Sequence, residues 1–258
     1  MHPALFRLFS LLRYKWQSKS VYYIHSPFVY AFFEKVLRSS AKNELWPAIQ
    51  QLRKQTGDNR TVIPPVDYGA GTGKERTVAT IGSKTAIPEK YGQLLSCATH
   101  YFQPKNILEL GTSLGFSTAY LAAGAPLANV ITIEGNPHLS ALAQQHFRQL
   151  QLSQIEVVTG NFDALLPELL PEKQFDLVFV DGNHRFEPTV RYFEWLLSST
   201  HDQSVLIFDD IYWSEEMRDA WQYIKKHPRT RLTISVWRMG FVFFRSENLA
   251  TEHFELRY

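Results

Sequence analysis

The sequence predicts an α/β fold: a mostly parallel, seven-stranded sheet with helices on both faces, a C-terminal antiparallel hairpin and a helical N-terminal extension. Three observations carry this. From about residue 105, short β-rich runs alternate with helical patterns. The runs VITI, LVFV and VLIF are continuously apolar, as parallel strands covered on both faces must be. Near the C-terminus, RLTISVW and GFVFFR stand close together, joined by Arg238 and Met239 with Gly240 beside them.

In chain order, the strands are NILEL (106–110), NVITIE (129–134), IEVVT (155–159), FDLVFVD (175–181) and SVLIFDD (204–210). Helical patterns occupy 117–123, 138–150, 163–170, 187–199 and 214–227. Upstream, PEKYGQLLSCATHYF (88–102) reads as a helix leading into the first strand. GDNRTVIPPVDYGAGTGKERT mixes turn formers with little periodicity and reads as a loop that covers a site. The expected organisation is an extension over residues 1–87 and a main domain over 88–258.

A hydrophobic content of 45% with 20% charged residues suits a globular chain and argues against disorder. The single cysteine, Cys97, excludes an internal disulfide, and no Cys/His cluster has zinc spacing. A reducing, cytoplasmic setting is the expectation. No uninterrupted apolar run reaches the length of about 18 residues that a membrane-spanning helix needs.

The net charge of +2 hides an asymmetry: residues 1–60 hold 10 Lys/Arg against 3 Asp/Glu, and the remainder 17 against 22. Leu5, Leu8, Phe9, Leu12 and Trp16 follow helical spacing, with Arg7, Arg13, Lys15 and Lys19 mostly off that stripe. Two readings stand: peripheral contact of residues 1–20 with an anionic membrane, or packing of the helix on the main domain or on a second copy in a homodimer. HSPFVYAFFEKVL reads as a second amphipathic helix, with Ser26 as N-cap and Pro27 at its first position.

Two glycine-rich segments compete as a nucleoside-binding loop, Asp67 to Gly73 (DYGAGTG) and Glu109 to Gly115 (ELGTSLG). Such a loop must follow a strand and open a helix, and an acid must end the next strand to hold ribose hydroxyls. Pro64 and Pro65 spoil any central strand before the first segment. The second has the strand ILEL before it, a helix from Ser117 after it, and Glu134 at the end of the following strand. Gly111 and Gly115 let the backbone approach a ligand closely, Thr112 and Ser113 line the turn, Ser117 stands at the helix start, and Gly135 and Asn136 follow the acid.

The stretches ILELGTSLGFS, VITIEGNPHLSALAQ, GNFDALLPEL, FDLVFVDGNH and VLIFDDIYW, in this order, resemble the catechol and caffeoyl-coenzyme A type O-methyltransferases, which are Rossmann-like class I enzymes. The resemblance runs from about residue 88 to 244 and leaves residues 1–87 unexplained. It implies S-adenosylmethionine as cofactor, with contacts at Gly111, Ser117 and Glu134 and an adenine contact at Phe162 and Asp163. Asp163 also reads as the N-cap of the helix it precedes. The resemblance further implies a divalent metal, usually magnesium, held by Asp181, Asp209 and Asp210, the last standing where the family usually has Asn. The alternative is an acidic pocket without metal, with Asp181 orienting the cofactor or a substrate amine. His184 stands where the metal-dependent family usually carries a lysine base, and an imidazole near its ordinary pKa of about 6.5 removes a hydroxyl proton without strong tuning. His184 and Asp181 are therefore the catalytic candidates.

Phe186, Tyr212 and Trp213 read either as a wall for a planar substrate or as plain packing. The leading expectation is methyl transfer to the hydroxyl of a small molecule. Methylation of RNA or protein is a competing reading, although DGNH stands where amino-directed enzymes often carry an Asn/Asp-Pro-Pro-aromatic motif. A non-catalytic, membrane-peripheral or oligomeric module on the same fold is a third.

Overall fold

The computed structural model describes residues 3–18, 24–66, 75–247 and 250–258. They group into two compact units, one formed by Met1–Arg38 with Pro167–Tyr258, the other by Ser39–Leu166. Residues 1–38 of the expected extension thus belong to the first unit, and 39–87 to the second.

The first unit opens with α1 (Pro3–Gln17), then α2 (Pro27–Phe32) and a single π turn, Phe33–Leu37. Ser26 caps α2 by accepting from the Val29 amide, with Pro27 at the first position, as the sequence indicates. The apolar stripe of α1 points outward: Leu5, Leu8, Phe9, Leu12 and Trp16 are all at least half exposed. The helix does pack on the rest of its unit, as one of the two readings had it, but not through this stripe. Phe6 and Tyr14, on the opposite side, are buried instead. Polar anchoring explains the reversal, since the Tyr14 hydroxyl donates to the Leu256 carbonyl at 2.6 Å and Arg7 stacks 3.4 Å from the Trp213 ring centre.

The second unit runs α3 (Trp46–Gly57), β1 (Val62–Ile63), β2 (Arg76–Thr77), α4 (Val78–Lys84), α5 (Glu89–Phe102), β3 (Asn106–Leu110), α6 (Phe116–Gly124), β4 (Asn129–Glu134), α7 (Pro137–Gln149), β5 (Ile155–Thr159) and the start of α8 (Phe162–Leu169). β3, β4 and β5 pair in parallel, with Asn106 opposite Asn129 and Val130 opposite Ile155. β1 and β2 form a separate antiparallel pair. The DYGAGTG segment between them lies outside the described residues.

The first unit resumes with β6 (Leu177–Val180), α9 (Phe186–Leu196), β7 (Val205–Phe208), α10 (Glu215–Lys226), β8 (Leu232–Ser235), β9 (Gly240–Phe243) and β10 (Glu252–Glu255). Its strand order is β10-β8-β9-β7-β6. β6 and β7 are parallel, β9 runs antiparallel to both β7 and β8, and β8 with β9 is the expected hairpin. Within α/β layers the described strands number three parallel ones in one unit and five in the other, eight where seven were expected. The addition is β10, parallel to β8. Its sequence, EHFE, is short and charged, which suits an edge strand and hides it from a search for apolar runs.

No described helix is long and apolar enough to cross a membrane.

Candidate active site

In the second unit, β3 delivers the chain into the turn Gly111–Gly115. Three of its residues have left-handed backbone, Gly111 (φ 108°), Ser113 (φ 50°) and Gly115 (φ 79°). At Gly115 a side chain is barred twice, by φ and by the Phe147 ring, which an added Cβ would meet at 2.6 Å. The Gly111 and Thr112 amides donate to the Ile133 carbonyl at 3.0 and 3.2 Å and pin the turn to β4.

Glu134, the last residue of β4, is gripped by backbone. The Ser113 amide donates to Oε2 at 2.7 Å and the Asn136 amide to Oε1 at 2.9 Å. Burial pushes the Glu134 pKa up, while the amides of Asn136, Ser113 and Gly135 and the charge of Arg76 pull against it. A carboxylate has about four acceptor positions, so these amides do not use up its capacity to accept from a ligand's hydroxyl. Asn136 caps α7 through the His138 and Leu139 amides, and its Nδ2 donates to the Pro64 carbonyl at 2.8 Å, which fixes the end of β1 next to Glu134.

The expected cofactor residues divide into two groups. Gly111, Ser113, Gly115, Glu134, Gly135 and Asn136 gather around the turn. Glu109 and Thr112 are enclosed beneath it, where the Glu109 carboxylate accepts from the Thr118 and Thr132 hydroxyls and Thr112 meets Thr132 at 2.6 Å. Ser117 is buried in the first turn of α6. Phe162 and Asp163 are half-buried at the start of α8. The cap of that helix is Asn161, not Asp163: Asn161 Oδ1 accepts from the Asp163 amide at 3.0 Å, and its carbonyl accepts from Leu165.

In the first unit, Asp181 directly follows β6, and Asp209 and Asp210 follow β7. The parallel pairing of these strands and the bond from the Asp209 amide to the Val180 carbonyl bring all three carboxylates to one end of the sheet. β9 pairs Gly240 with Phe208, so the turn of the closing hairpin arrives at the same end and carries Arg238 with it. Arg238 Nε lies 2.7 and 2.9 Å from the two oxygens of Asp209, and Nη2 lies 2.5 Å from Oδ2 and 3.4 Å from Asp210.

Complete burial, with Asp181 and Asp210 nearby, pushes the Asp209 pKa up, and the Arg238 bonds hold it back. Burial likewise raises Asp210, against the charges of Arg238 and His184. Arg7, from α1, adds a further positive charge toward Asp210.

His184 Nε2 lies 3.3 Å from Asp181 Oδ1. The other ring nitrogen, Nδ1, is shielded from water and has no partner among the described residues. Burial opposes the cationic form, but the bond and charge of Asp181, with Asp210 and Asp209, outweigh it and push the His184 pKa up to about 9. The expectation of an imidazole near its ordinary value is therefore corrected, and acidic neighbours are the cause. The backbone here is strained: Asn183 (φ 66°), His184 (φ 23°) and Asp210 (φ 53°) all have positive φ, and the His184 amide closes on the Gly182 carbonyl at 2.9 Å. Asn183 is held by its Nδ2 bond to the Tyr192 hydroxyl at 2.7 Å.

Arg238 was legible only as a hairpin residue, although three acids at adjacent strand ends call for a cation. Its guanidinium takes both oxygens of Asp209, and among the described residues no three His, Cys, Asp or Glu side chains are placed to hold a metal ion. A hard divalent cation needs several free oxygens at once, so the expected set Asp181, Asp209 and Asp210 does not fit one. Of the expected aromatic wall, Phe186 and Trp213 are exposed, whereas Tyr212 turns to Glu255 and Trp237.

A family model described as a methyltransferase domain matches residues 108–211. The chain is similar to catechol O-methyltransferases of Niastella koreensis and Mycobacterium tuberculosis, each 32% identical over 130 residues that make up 49% and 50% of this chain. The match spans 58% of the length of each of these relatives. An O-methyltransferase from Bacillus cereus, solved in complex with SAH, superposes with a TM-score of 0.58 over 84% of this chain and 97% of that one, at 21% identity. Residues 108–211 thus match a methyltransferase domain, and the chain shares the fold of the solved O-methyltransferase. Over that domain it is similar to the catechol O-methyltransferases.

Proposed function

We propose that the chain transfers a methyl group from S-adenosylmethionine to a phenol-type hydroxyl of a small molecule, with residues 88–258 as the methyltransferase domain. The observation that carries this reading is the Gly111–Gly115 turn closed by its own Ser113 amide on Glu134. An oriented carboxylate with acceptor capacity to spare suits the vicinal hydroxyls of a ribose, and a turn that starts and ends on left-handed glycines suits close approach of a ligand to backbone. S-adenosylmethionine, when bound, supplies an activated methyl group.

The acidic cluster supports the second half of the reading. Asp181 fixes one nitrogen of His184, and Nδ1, closed to water here, takes the acceptor's hydroxyl proton once entry of the acceptor uncovers it, as the new C–O bond forms and the C–S bond breaks. A base with a pKa of about 9 is well matched to a phenol, whose ordinary value is about 10. Arg238 neutralises Asp209 and tempers the field of the carboxylates, so that an incoming oxygen meets less repulsion.

The test is incubation of the protein with methyl-labelled S-adenosylmethionine and matched phenolic and aliphatic alcohols. Label is expected in the phenols. Labelling of aliphatic alcohols alone, or of no hydroxyl while the cofactor binds, would overturn the reading.

A further inference from the structure

The outward face of α1 has no task in the chemistry above. Its apolar side chains are unusually open, with Phe9 at 59% and Trp16 at 85% exposure. At about 3.6 residues per turn, Arg13 and Lys15 fall roughly 80° to either side of the line through Leu5, Leu12 and Trp16. Both are exposed. No Asp or Glu precedes Glu34 in the chain, whereas Arg7, Arg13, Lys15 and Lys19 all do.

Beside this helix lies a cavity of ≈ 520 Å³, lined among others by Arg13, Tyr14, Tyr212, Lys225, His253 and Glu255. Its carboxylate is engaged, since the Tyr212 hydroxyl donates to Glu255 Oε1 at 3.0 Å. Lys225 is half-buried and has no ion pair within 4.0 Å among the described residues. Arg13 and Lys225 therefore present two cations to one cleft at the edge of the apolar stripe.

We infer that α1 docks this protein on an anionic phospholipid surface, its apolar stripe entering the acyl boundary and a lipid phosphate seated between Arg13 and Lys225. An interfacial helix needs an apolar stripe flanked by long cationic side chains that reach the headgroups, and α1 has both. Arg13 and Lys225 outnumber Glu255, the one carboxylate that lines the cleft and acts on Lys225, so the cleft still favours an anion. A second copy is the poorer occupant, because pairing two such faces brings the flanking cations of one helix near those of the other.

Flotation of the 258-residue chain with vesicles is the test, using phosphatidylcholine alone against equal parts phosphatidylcholine and phosphatidylserine. Binding is expected only to the anionic vesicles and is expected to weaken as salt rises. Phe9→Ser with Trp16→Ser, and separately Arg13→Glu with Lys15→Glu, should each weaken binding by about tenfold or more, and Lys225→Gln by about threefold. None of these side chains belongs to the cofactor turn or the acidic cluster, and circular dichroism checks that the variants fold. As a second measurement, the tryptophan emission should shift to the blue on vesicles, and Trp16→Phe should abolish the shift.

A folded protein that ignores anionic vesicles overturns the inference. So does equal binding of the wild type and the Arg13, Lys15 and Lys225 variants. A dimer that Trp16→Ser converts to monomer assigns the face to a second copy instead. Saturable binding of inorganic phosphate without vesicle binding makes the cleft a soluble-anion site and equally overturns the lipid assignment.

Discussion

The turn at Gly111–Gly115 and the acidic cluster around Asp209 are both held in strained backbone, but by opposite means. The turn is set by shape: left-handed glycines, a Phe147 ring that tolerates no Cβ, and amides that close on one carboxylate. The cluster is set by charge: three carboxylates and a histidine around one guanidinium, with Asp209 fully buried. A region fixed by shape should be sensitive to added atoms and indifferent to pH. One fixed by charge should answer to the loss of a partner and to titration.

The largest expected effect is at Arg238. Replacement by Met leaves Asp209 buried with no side-chain partner among the described residues on either oxygen, which should cost about 4 kcal/mol of stability in urea unfolding. Adding Asp209→Asn should recover part of that loss. A cost below about 1 kcal/mol would mean that charge pairing does not hold this region.

Next is Gly115→Ala. Positive φ and the clash with Phe147 should together cost about 2 kcal/mol, unchanged between pH 6 and pH 9. A substitution without effect would break the contrast from the other side.

At His184 the sign follows from a pKa raised from 6.5 to about 9. Its pairing with Asp181 contributes stability in full below about pH 6.5, and that contribution fades as the pH rises through about 9. His184→Gln should therefore destabilise the protein at pH 6 and hardly at pH 10. In turnover, the same group accepts a proton only once it is neutral, so the rate should climb toward pH 9 in the wild type and lose that rise in His184→Gln. The smallest effect concerns metal: with Asp209 committed to Arg238, a chelator should leave the methyl-transfer rate unchanged.

The shape-built region was the more legible of the two in the sequence. NILEL and NVITIE match β3 and β4 residue for residue, because continuous apolar runs bounded by turn formers carry their own limits. The glycine turn and Glu134 follow from that local order. Arg238 did not, since its partner lies 29 positions away and only the hairpin register brings the two together. The raised pKa of His184 was hidden only in part: its main cause, Asp181, lies three positions away, and only the added charges of Asp210 and Asp209 come from another strand end. The direction of the α1 stripe was hidden because periodicity tells which residues share a face but not what that face meets. Asp163 drew attention as a cap, whereas Asn161 two residues earlier does the work, a shift within the usual uncertainty of helix ends.

The most direct measurement is titration calorimetry of the folded 258-residue chain with S-adenosylmethionine, for the wild type and Glu134→Gln. Binding at one site per chain is expected, weakened about tenfold in the variant because an amide accepts hydroxyl hydrogen bonds less strongly than a carboxylate. No binding by a protein with an intact near-ultraviolet dichroism spectrum, or equal affinity in both proteins, would contradict the role assigned to the turn and Glu134.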